Sequence, residues 1–391
     1  MKFIAAFFER LKTLDGQLSL FLLFFLLVAV GCNIFGSWVI FRHSALLNEA
    51  AVRPRLAAES RWFYDSGNYE PVPVGALKIL SPFDFSPDAA VRAEGMALAV
   101  LIIAAVFVSV KRKWGEQTAV FSAFLLGINP YLAIYAMKGS TVLFSLFFLL
   151  LFWLFARPGT LTLKRAAAAG FFAGLACLSR MDSVWPLLLY ALFSARVCVK
   201  AGKLKETAAA AVTALLLVSP YLIYQKAHFG NALYGQETGL TRLVNAEVRK
   251  YLPGTELIKE PVALGEFLTR YGFRDAVAAP FRGAYRLLTF ELPKSLYGQS
   301  ALGKFTLLLA FLGLYFSFRR SDYDFPVLFL SFFIPVCFIA EIPQISDTSG
   351  IRVSYMLPSA AAVCAMAGYG FTESCRELGG AVKKYLEKSK R

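Results

Sequence analysis

Two carboxylates and a few cations, far apart in the sequence, are the residues best suited to chemistry in this chain. Glu49 and Asp65 lie in a polar segment after the first long apolar run, and Arg180 and Arg352 lie at the ends of later apolar runs. A positioned carboxylate can take a proton from an alcohol, which is otherwise a poor nucleophile. A guanidinium at the end of an apolar run is costly unless it pairs with an acid or binds an anion such as phosphate.

The elements that must position these residues are membrane helices. Of the 391 residues, 57% are hydrophobic and only 17% are charged, which is too little charge to cover a water-soluble globule. Apolar runs such as 18–41 and 325–340 have to form helices, because lipid offers backbone groups no hydrogen-bond partner. The formal net charge of +15 is spread over short connections. This pattern favours membrane lipids, or a phosphorylated lipid substrate, over nucleic acid as partners.

The basic clusters recur in every second connection, which is typical of cytoplasmic loops, and predict about ten transmembrane helices with both termini in the cytoplasm. We predict the run 166–195 as two short helices that meet near Arg180 at the outer interface, in preference to one tilted helix. The chain is thus predicted to be an all-α polytopic membrane protein, with residues 1–391 in a single transmembrane domain. The predicted helices are 18–41, 95–110, 118–136, 141–156, 166–179, 182–195, 207–224, 301–318, 325–341 and 353–371.

This topology places two long loops, 42–94 and 225–300, on the same extracytoplasmic side of the membrane. In the second loop, segments 263–271 and 276–288 carry apolar residues at helical spacing, which predicts amphipathic helices on the membrane surface. A small extracytoplasmic subdomain with its own core is the alternative. The connection at Lys138, the turn at Arg180 and the segment before Arg352 are predicted on this side as well.

Three segments, taken in order, resemble a known family. After Glu49 the first loop reads AESRWFYDSGNYEPVP over 58–73, the centre of the chain reads GFFAGLACLSR over 170–180, and a later segment reads RVSYMLP over 352–358. Together they resemble the polyprenyl-phosphate-dependent GT-C glycosyltransferases, which include protein O-mannosyltransferases and the bacterial transferases that add aminoarabinose to lipid A. The resemblance extends from about Leu18 to Gly370, is weakest across 225–300, and implies a GT-C-like fold.

The resemblance implies an inverting glycosyltransferase that moves a sugar from a polyprenyl-phosphate carrier to an acceptor hydroxyl on the extracytoplasmic face. The acceptor would be a lipid, a glycan or a protein. In this family a first-loop carboxylate is the general base, which by position favours Glu49, with Asp65 as the second candidate. The alternative for both acids is a solvated loop carboxylate paired with Arg53, Arg55 or Arg61.

The family's cations bind the donor phosphate, and four residues of this chain are candidates for that role. Arg180 and Arg352 are the first two, Lys138 is a third, and Arg61 matches the arginine of the family's first loop. Snorkelling to the interface, or pairing with an aspartate nearby in sequence, is the alternative for Arg180 and Arg352. A structural role is the alternative for Arg61.

The chain departs from the family pattern where many members carry a second acid. The connection after the third predicted helix reads Lys-Gly-Ser-Thr over 138–141. We therefore predict no required metal or other cofactor apart from the lipid-linked donor. His43 and His228 are too few to suggest a metal site, and six cysteines without CxxC spacing indicate neither a zinc site nor a disulfide framework.

Two other classes of function remain open from the sequence. A transporter or lipid flippase would need ionisable residues inside the spans, and the predicted span interiors hold almost none. A non-catalytic scaffold subunit would use the long loops as docking surfaces. The short chain without an appended lumenal domain favours a bacterial inner membrane over an endoplasmic reticulum. The sequence defines neither the sugar, the acceptor nor the oligomeric state.

Overall fold

The fold is known from a computed structural model that describes residues 15–67, 69–80, 83, 85–157, 160–235, 273–298, 300–340 and 351–388. All regular secondary structure in this part of the chain is helical. The α-helices are α1 Asp15–Phe41, α2 Asn48–Glu59, α3 Pro71–Leu80, α4 Pro87–Trp114, α5 Glu116–Gly127, α6 Pro130–Met137, α7 Val142–Phe155, α8 Leu163–Ser179, α9 Val184–Lys200, α10 Leu204–Phe229, α11 Phe273–Arg286, α12 Leu292–Tyr297, α13 Ala301–Arg319, α14 Asp324–Ala340 and α15 Ile351–Lys388.

Each apolar run predicted to be a membrane helix is helical, but the third is not straight. Helices α5 and α6 meet at an angle of 55°. Pro130 disfavours a helical conformation at the preceding residue, and Asn129 caps α6 by accepting hydrogen bonds from the amides of Tyr131 and Leu132. Four described helices are long and apolar enough to cross a membrane, or five if the bent pair is one span. The protein is therefore an integral membrane protein, and the number of ten spans stays a prediction.

The predicted break near Arg180 is present. Helix α8 ends at Ser179, Arg180 has an extended backbone with φ −159° and ψ 118°, and a short 3-10 turn over Met181–Ser183 leads into α9. An apolar run is interrupted here by two charged side chains, Arg180 and Asp182, which gain little from burial in a continuous helix. The break exposes these side chains to groups from other helices.

The centre of the molecule is a pack of helices around α15. This helix packs against α13, α5 and α14, and α8 packs between α7 and α10. Small residues allow the closest approach: a Cβ added to Gly313 of α13 would lie 2.0 Å from the carbonyl oxygen of Met366 in α15. Close backbone contact through glycine is a common way to associate helices in lipid, where the hydrophobic effect between them is absent.

The first long loop is largely helical, which the sequence pattern did not predict. Arg53 of α2 is buried and donates to the Glu94 carboxylate of α4 at 2.7 Å and to the carbonyl oxygen of Gly139 at 2.9 Å. Because a buried guanidinium is stable only with acceptors around it, this side chain fixes α2 against α4 and the α6–α7 turn. Arg53 therefore pairs with Glu94 and not with the Glu49 carboxylate.

A second buried arginine holds the start of the same loop. Arg92 of α4 donates to the carbonyl oxygens of Phe41 at 3.0 Å, Met137 at 2.7 Å and Ser44 at 2.6 Å. These oxygens belong to the end of α1, the loop after it and the end of α6. Arg92 thus brings the start of the first loop to the α6–α7 turn.

In the second long loop, helix α11 overlaps the predicted amphipathic segment 276–288, and a π-helical turn over Leu287–Glu291 connects it to α12. Helix α11 packs on α14, while Phe281 and Tyr285 are exposed on its surface. The other predicted amphipathic segment, 263–271, lies outside the described residues.

Candidate active site

Arg180 is the centre of a polar cluster formed by distant parts of the chain. Its side chain is 14% exposed, and its Nε and Nη2 atoms donate to the Asp182 carboxylate at 2.7 to 3.2 Å. The same Nη2 atom donates to the hydroxyl of Tyr355 at 2.7 Å, and the guanidinium carbon lies 4.8 Å from the centre of the Tyr355 ring. Asp182 and Tyr355 thus hold one edge of the guanidinium and leave Nη1 directed elsewhere.

The Nη1 atom of Arg180 faces the first loop and the α6–α7 turn. It donates to Thr141 Oγ1 at 3.3 Å and lies 4.0 Å from Oε2 of Glu49. The structure therefore brings together two predicted site residues that are far apart in the sequence, Glu49 and Arg180. Their chemical roles stay predictions.

The Glu49 carboxylate has two unlike oxygens. Oε1 accepts hydrogen bonds from both the backbone amide and the hydroxyl of Thr141, each at 3.1 Å. Among the described residues, Oε2 is approached by Arg180 Nη1 at 4.0 Å, which is beyond hydrogen-bonding distance. With its side chain 32% exposed, Glu49 presents one saturated oxygen to the protein and one available oxygen to a ligand.

Glu49 is in position because the α6–α7 turn packs against the first turn of α2. Gly139 has φ +72°, and a Cβ at this position would meet Val91, Ala50 and the Arg53 guanidinium at 3.0 Å or less. Only glycine combines this left-handed conformation with so close a contact. The amide of Leu47 also donates to the carbonyl oxygen of Lys138 at 3.1 Å. The Lys-Gly-Ser-Thr connection therefore positions Glu49.

Glu70 is a third carboxylate at this cluster, and it is not among the site residues predicted from the sequence. Its Oε1 atom accepts from the backbone amide of Met181 at 3.4 Å, which places it beside the turn that carries Arg180 and Asp182. Burial raises the pKa of Glu70 from 4.5 to about 7, although the positive charge of Arg180 acts in the opposite direction. The signal available in the sequence was its position immediately before the Pro-Val-Pro segment that begins α3.

Asp65 lies in a different cluster. It accepts from the Arg61 amide at 3.1 Å and from the hydroxyl of Tyr224 at 2.8 Å, and these two donors hold the pKa of Asp65 below its ordinary value. The His228 ring packs against Tyr224 with centroids 4.1 Å apart, and the half-exposed Trp62 meets Tyr224 edge-on. In the described part of the chain, Asp65 contacts α10 and its own turn, and not Arg180.

The other three cations predicted to bind the donor phosphate are Arg61, Lys138 and Arg352, and the structure describes the side chains of the first two. Arg61 is exposed, and its backbone amide, not its guanidinium, bonds Asp65. Lys138 is half-buried at the end of α6, and its ammonium makes no hydrogen bond or ion pair with a described residue. Arg352 lies in the first turn of α15, three residues before Tyr355, and its side chain lies outside the described residues. Phosphate binding by these three residues stays a prediction.

Within the ranges that the structure describes, no group of three or more His, Cys, Asp or Glu side chains could hold a metal ion. The Arg180 guanidinium pairs with Asp182 and lies 4.0 Å from Glu49, and Glu70 bonds the amide of Met181 beside it. The arrangement can therefore offer a proton acceptor on Glu49 and an anion-binding edge on Arg180.

Comparisons with known proteins agree with this architecture. The family model described as dolichyl-phosphate-mannose-protein mannosyltransferase matches residues 79–224, which include Thr141 and Arg180. The crystal structure of ArnT from Cupriavidus metallidurans in the apo state is similar, with 14% identity and a TM-score of 0.50 over 88% of this chain and 59% of that chain. No curated protein matches the sequence.

A second solved structure is also similar: the archaeal oligosaccharyltransferase AglB from Archaeoglobus fulgidus, in complex with an inhibitory peptide and a dolichol-phosphate. It has 14% identity and a TM-score of 0.55 over 93% of this chain and 52% of that chain. The chain thus spans between half and three-fifths of the length of these two proteins. At this identity the similarity to the two solved structures shows the fold alone, and the family model covers less than half of the chain.

Proposed function

We propose that this protein transfers a sugar from a polyprenyl-phosphate carrier to an acceptor hydroxyl, with inversion at the sugar carbon. The observation that carries this proposal is the 4.0 Å approach between the Glu49 carboxylate and the Arg180 guanidinium in one partly exposed cluster. A proton acceptor beside an anion-binding group is the minimum arrangement for displacing a phosphate with an alcohol.

In the proposed reaction, Oε2 of Glu49 takes the proton of the acceptor hydroxyl as its oxygen forms a bond to the anomeric carbon. The bond from this carbon to the phosphate oxygen breaks, and its electron pair stays on the phosphate. Because attack comes from the side opposite the leaving group, the configuration inverts. A positioned base of this kind contributes roughly 10²- to 10⁴-fold in rate.

The phosphate would bind at the Nη1 edge of Arg180, because Asp182 and Tyr355 already take Nε and Nη2. Charge-assisted hydrogen bonds from a guanidinium stabilise the negative charge that the phosphate gains as the sugar leaves. Lys138, Arg352 and Arg61 are proposed as further cations for the donor.

The comparisons with known proteins support a lipid-linked donor and the proposal that this chain is a GT-C glycosyltransferase. One related structure contains a dolichol-phosphate, and the matching family is described by its dolichyl-phosphate-mannose donor. We propose that the acceptor is a lipid, a glycan or a protein. Because basic connections favour the cytoplasmic side, we propose that the Glu49 side of the molecule faces away from the cytoplasm, and we propose the bacterial inner membrane as its location.

The test begins with membranes from source cells that lack the gene. Mass spectrometry is expected to reveal an accumulated polyprenyl-phosphate sugar, which purified wild-type protein in proteoliposomes should consume while free polyprenyl phosphate appears. Glu49→Gln should reduce this rate at least roughly 100-fold. Glu59→Gln is the matched control, because Glu59 lies in the same helix and forms an exposed pair with Arg55. A wild-type rate for Glu49→Gln would remove the proposed base.

A further inference from the structure

Thr141 occupies an unusual place for a helix-capping residue. It is the residue before α7, where a threonine hydroxyl ordinarily accepts a hydrogen bond from an amide in the first turn of its own helix. Here the side chain makes no such cap. Its hydroxyl is buried and directed instead towards Glu49 and Arg180.

The hydrogen-bond directions at Thr141 follow from the chemistry of its partners. A guanidinium can only donate, so Arg180 Nη1 donates to Thr141 Oγ1. The ionised Glu49 carboxylate can only accept, so the hydroxyl hydrogen goes to Oε1. Thr141 thus connects the guanidinium to the carboxylate through one oxygen atom. Its backbone amide adds a second donor to the same Oε1 atom.

We propose that Thr141 is a positioning residue that determines which oxygen of Glu49 acts as the base. This inference rests on the proposed glycosyl transfer. With Oε1 held by two donors, Oε2 is the oxygen that accepts the proton of the acceptor hydroxyl. Since Oε2 is on the Arg180 side, the anomeric carbon can lie between the acceptor hydroxyl at Oε2 and the departing phosphate at Arg180 Nη1, as inversion requires.

The side chain at position 141 has to be uncharged if it is to orient Glu49, for a physical reason. An aspartate at position 141 would bring a second negative charge against Glu49 and would offer no hydrogen to Oε1. Threonine supplies a donor and an acceptor without adding charge. The connection where many family members carry a second acid therefore serves here to orient the Glu49 carboxylate.

The test uses Thr141→Val and Thr141→Ser in the lipid-linked sugar assay above. Valine keeps the shape and the backbone amide but removes the hydroxyl, so kcat should fall roughly 10- to 100-fold. Serine keeps the hydroxyl and should stay within about threefold of wild type. Binding of undecaprenyl phosphate alone should change less than about threefold in both variants, because the Arg180 edge remains.

The pH profile separates positioning from a general loss of structure. A carboxylate that loses a hydrogen-bond donor becomes more basic, so the acidic limb of the kcat profile should move to higher pH in Thr141→Val. Thr118→Val is the matched control, because the buried Thr118 hydroxyl bonds Thr372 and the carbonyl oxygen of Trp114 in another part of the fold. This control should change the unfolding temperature without moving the profile.

The outcomes for Thr141→Val and Glu49→Gln distinguish a failure of the role of Thr141 from a failure of the proposed function. Wild-type kcat and pH profile in Thr141→Val, with Glu49→Gln inactive in the same assay, would overturn the role of Thr141 and leave glycosyl transfer intact. A wild-type rate in Glu49→Gln would overturn the proposed function itself. If valine also lowers the amount of folded protein, the pH profile still decides, because its position does not depend on protein amount.

Discussion

Two ionic clusters lie near opposite ends of helix α4, and they are built differently. Near the first end, the α6–α7 turn leads to the Arg180 cluster, which comprises Arg180, Glu49, Asp182, Thr141 and Tyr355. Near the other end is the Lys113 cluster, which comprises Lys113, Trp114, Asp322 and Asp324. Arg92 and Lys113 mark these ends and are about 30 Å apart along the helix, at 1.5 Å per residue.

The Lys113 cluster joins the end of α4 to the start of α14. The Lys113 ammonium lies 2.5 Å from Oδ1 of Asp322 and also pairs with Asp324, and the Trp114 indole donates to Oδ2 of Asp322 at 3.2 Å. The ring of Trp114 stacks on Phe325 at 4.2 Å. Both carboxylate oxygens of Asp322 therefore have donors, and the Lys113 side chain is only 12% exposed.

The Arg180 cluster lacks this saturation. Glu49 keeps one oxygen without a hydrogen bond from a described residue, and the guanidinium keeps an edge at 4.0 Å from it. Its carboxylates also outnumber the one guanidinium at their centre. A saturated network fastens helices together, whereas an incompletely paired one at a partly exposed surface retains capacity for a ligand.

The largest expected effect is that a substitution in the Arg180 cluster lowers activity, whereas one in the Lys113 cluster lowers stability. Glu49→Gln should reduce sugar transfer by at least roughly 100-fold at an unchanged unfolding temperature, because its oxygen still accepts from Thr141. Asp322→Asn should lower the unfolding temperature by roughly 5 °C, because a nearly buried ammonium loses one of its partners. Its transfer rate per folded molecule should equal that of wild type. If both variants lost the same stability, the contrast between a ligand-binding Arg180 cluster and a structural Lys113 cluster would be wrong.

The next largest effect is on the affinity for undecaprenyl phosphate, and it distinguishes Arg180 from an arginine near the Lys113 cluster. Arg180→Lys should weaken binding of undecaprenyl phosphate roughly tenfold or more, because lysine cannot pair with Asp182 and a phosphate through separate edges. Arg320→Lys is the matched control at the Lys113 end, where Arg320 pairs with Glu373. Isothermal titration in nanodiscs measures both. Equal affinities for the two variants would contradict phosphate binding at Arg180.

A smaller effect follows from Glu70. Its pKa of about 7 lies above the ordinary 4.5, so between these values the folded protein binds more protons than the unfolded chain. Stability should therefore fall as pH rises from about 5 to 7 and then level off. Glu70→Gln should flatten this dependence of the unfolding temperature, and Glu59→Gln should not. An unchanged slope in Glu70→Gln would show that Glu70 titrates normally.

The smallest expected effect on the reaction step is that of Asp65→Asn. Its carboxylate bonds Tyr224 and the Arg61 amide, and contacts none of the Arg180 cluster in the described structure. We expect kcat to stay within about fivefold of wild type, since no proton acceptor is lost from the reacting centre. Single-turnover rates with saturating donor provide the measurement. A loss as large as that of Glu49→Gln would make Asp65 the better candidate for the base.

The helices of the apolar runs were predictable from the sequence. A chain segment of this length and composition is embedded in lipid, where its backbone groups must bond one another, and a helix satisfies them. The break at Arg180 was predictable for the same reason, since two charged side chains interrupt an apolar run. Helices α2 and α3 were missed because one is polar with Pro54 in its interior and the other has ten residues. The bend before Pro130 depends on capping by Asn129. The spacing of apolar residues, from which the helices were predicted, carries no information about such a cap.

For the candidate site, the predicted topology put Glu49 and Arg180 on the same side of the membrane, and the structure adds that they lie 4.0 Å apart. The sequence contained no distance that would have added Thr141, Tyr355 or Glu70, because these contacts depend on the packing of separate helices. Asp65 shows the converse. It is close to Glu49 in sequence, but the turn after α2 directs it to Tyr224 on α10.

The central claim is that the donor phosphate binds at Arg180 beside the available oxygen of Glu49. A structure of the protein in nanodiscs with undecaprenyl phosphate tests it most directly. We expect phosphate density within hydrogen-bonding distance of Arg180 Nη1, with Oε2 of Glu49 facing it across a gap that the sugar would fill. Phosphate bound at the Lys113 cluster, or at any position where Glu49 does not face it, would contradict the account.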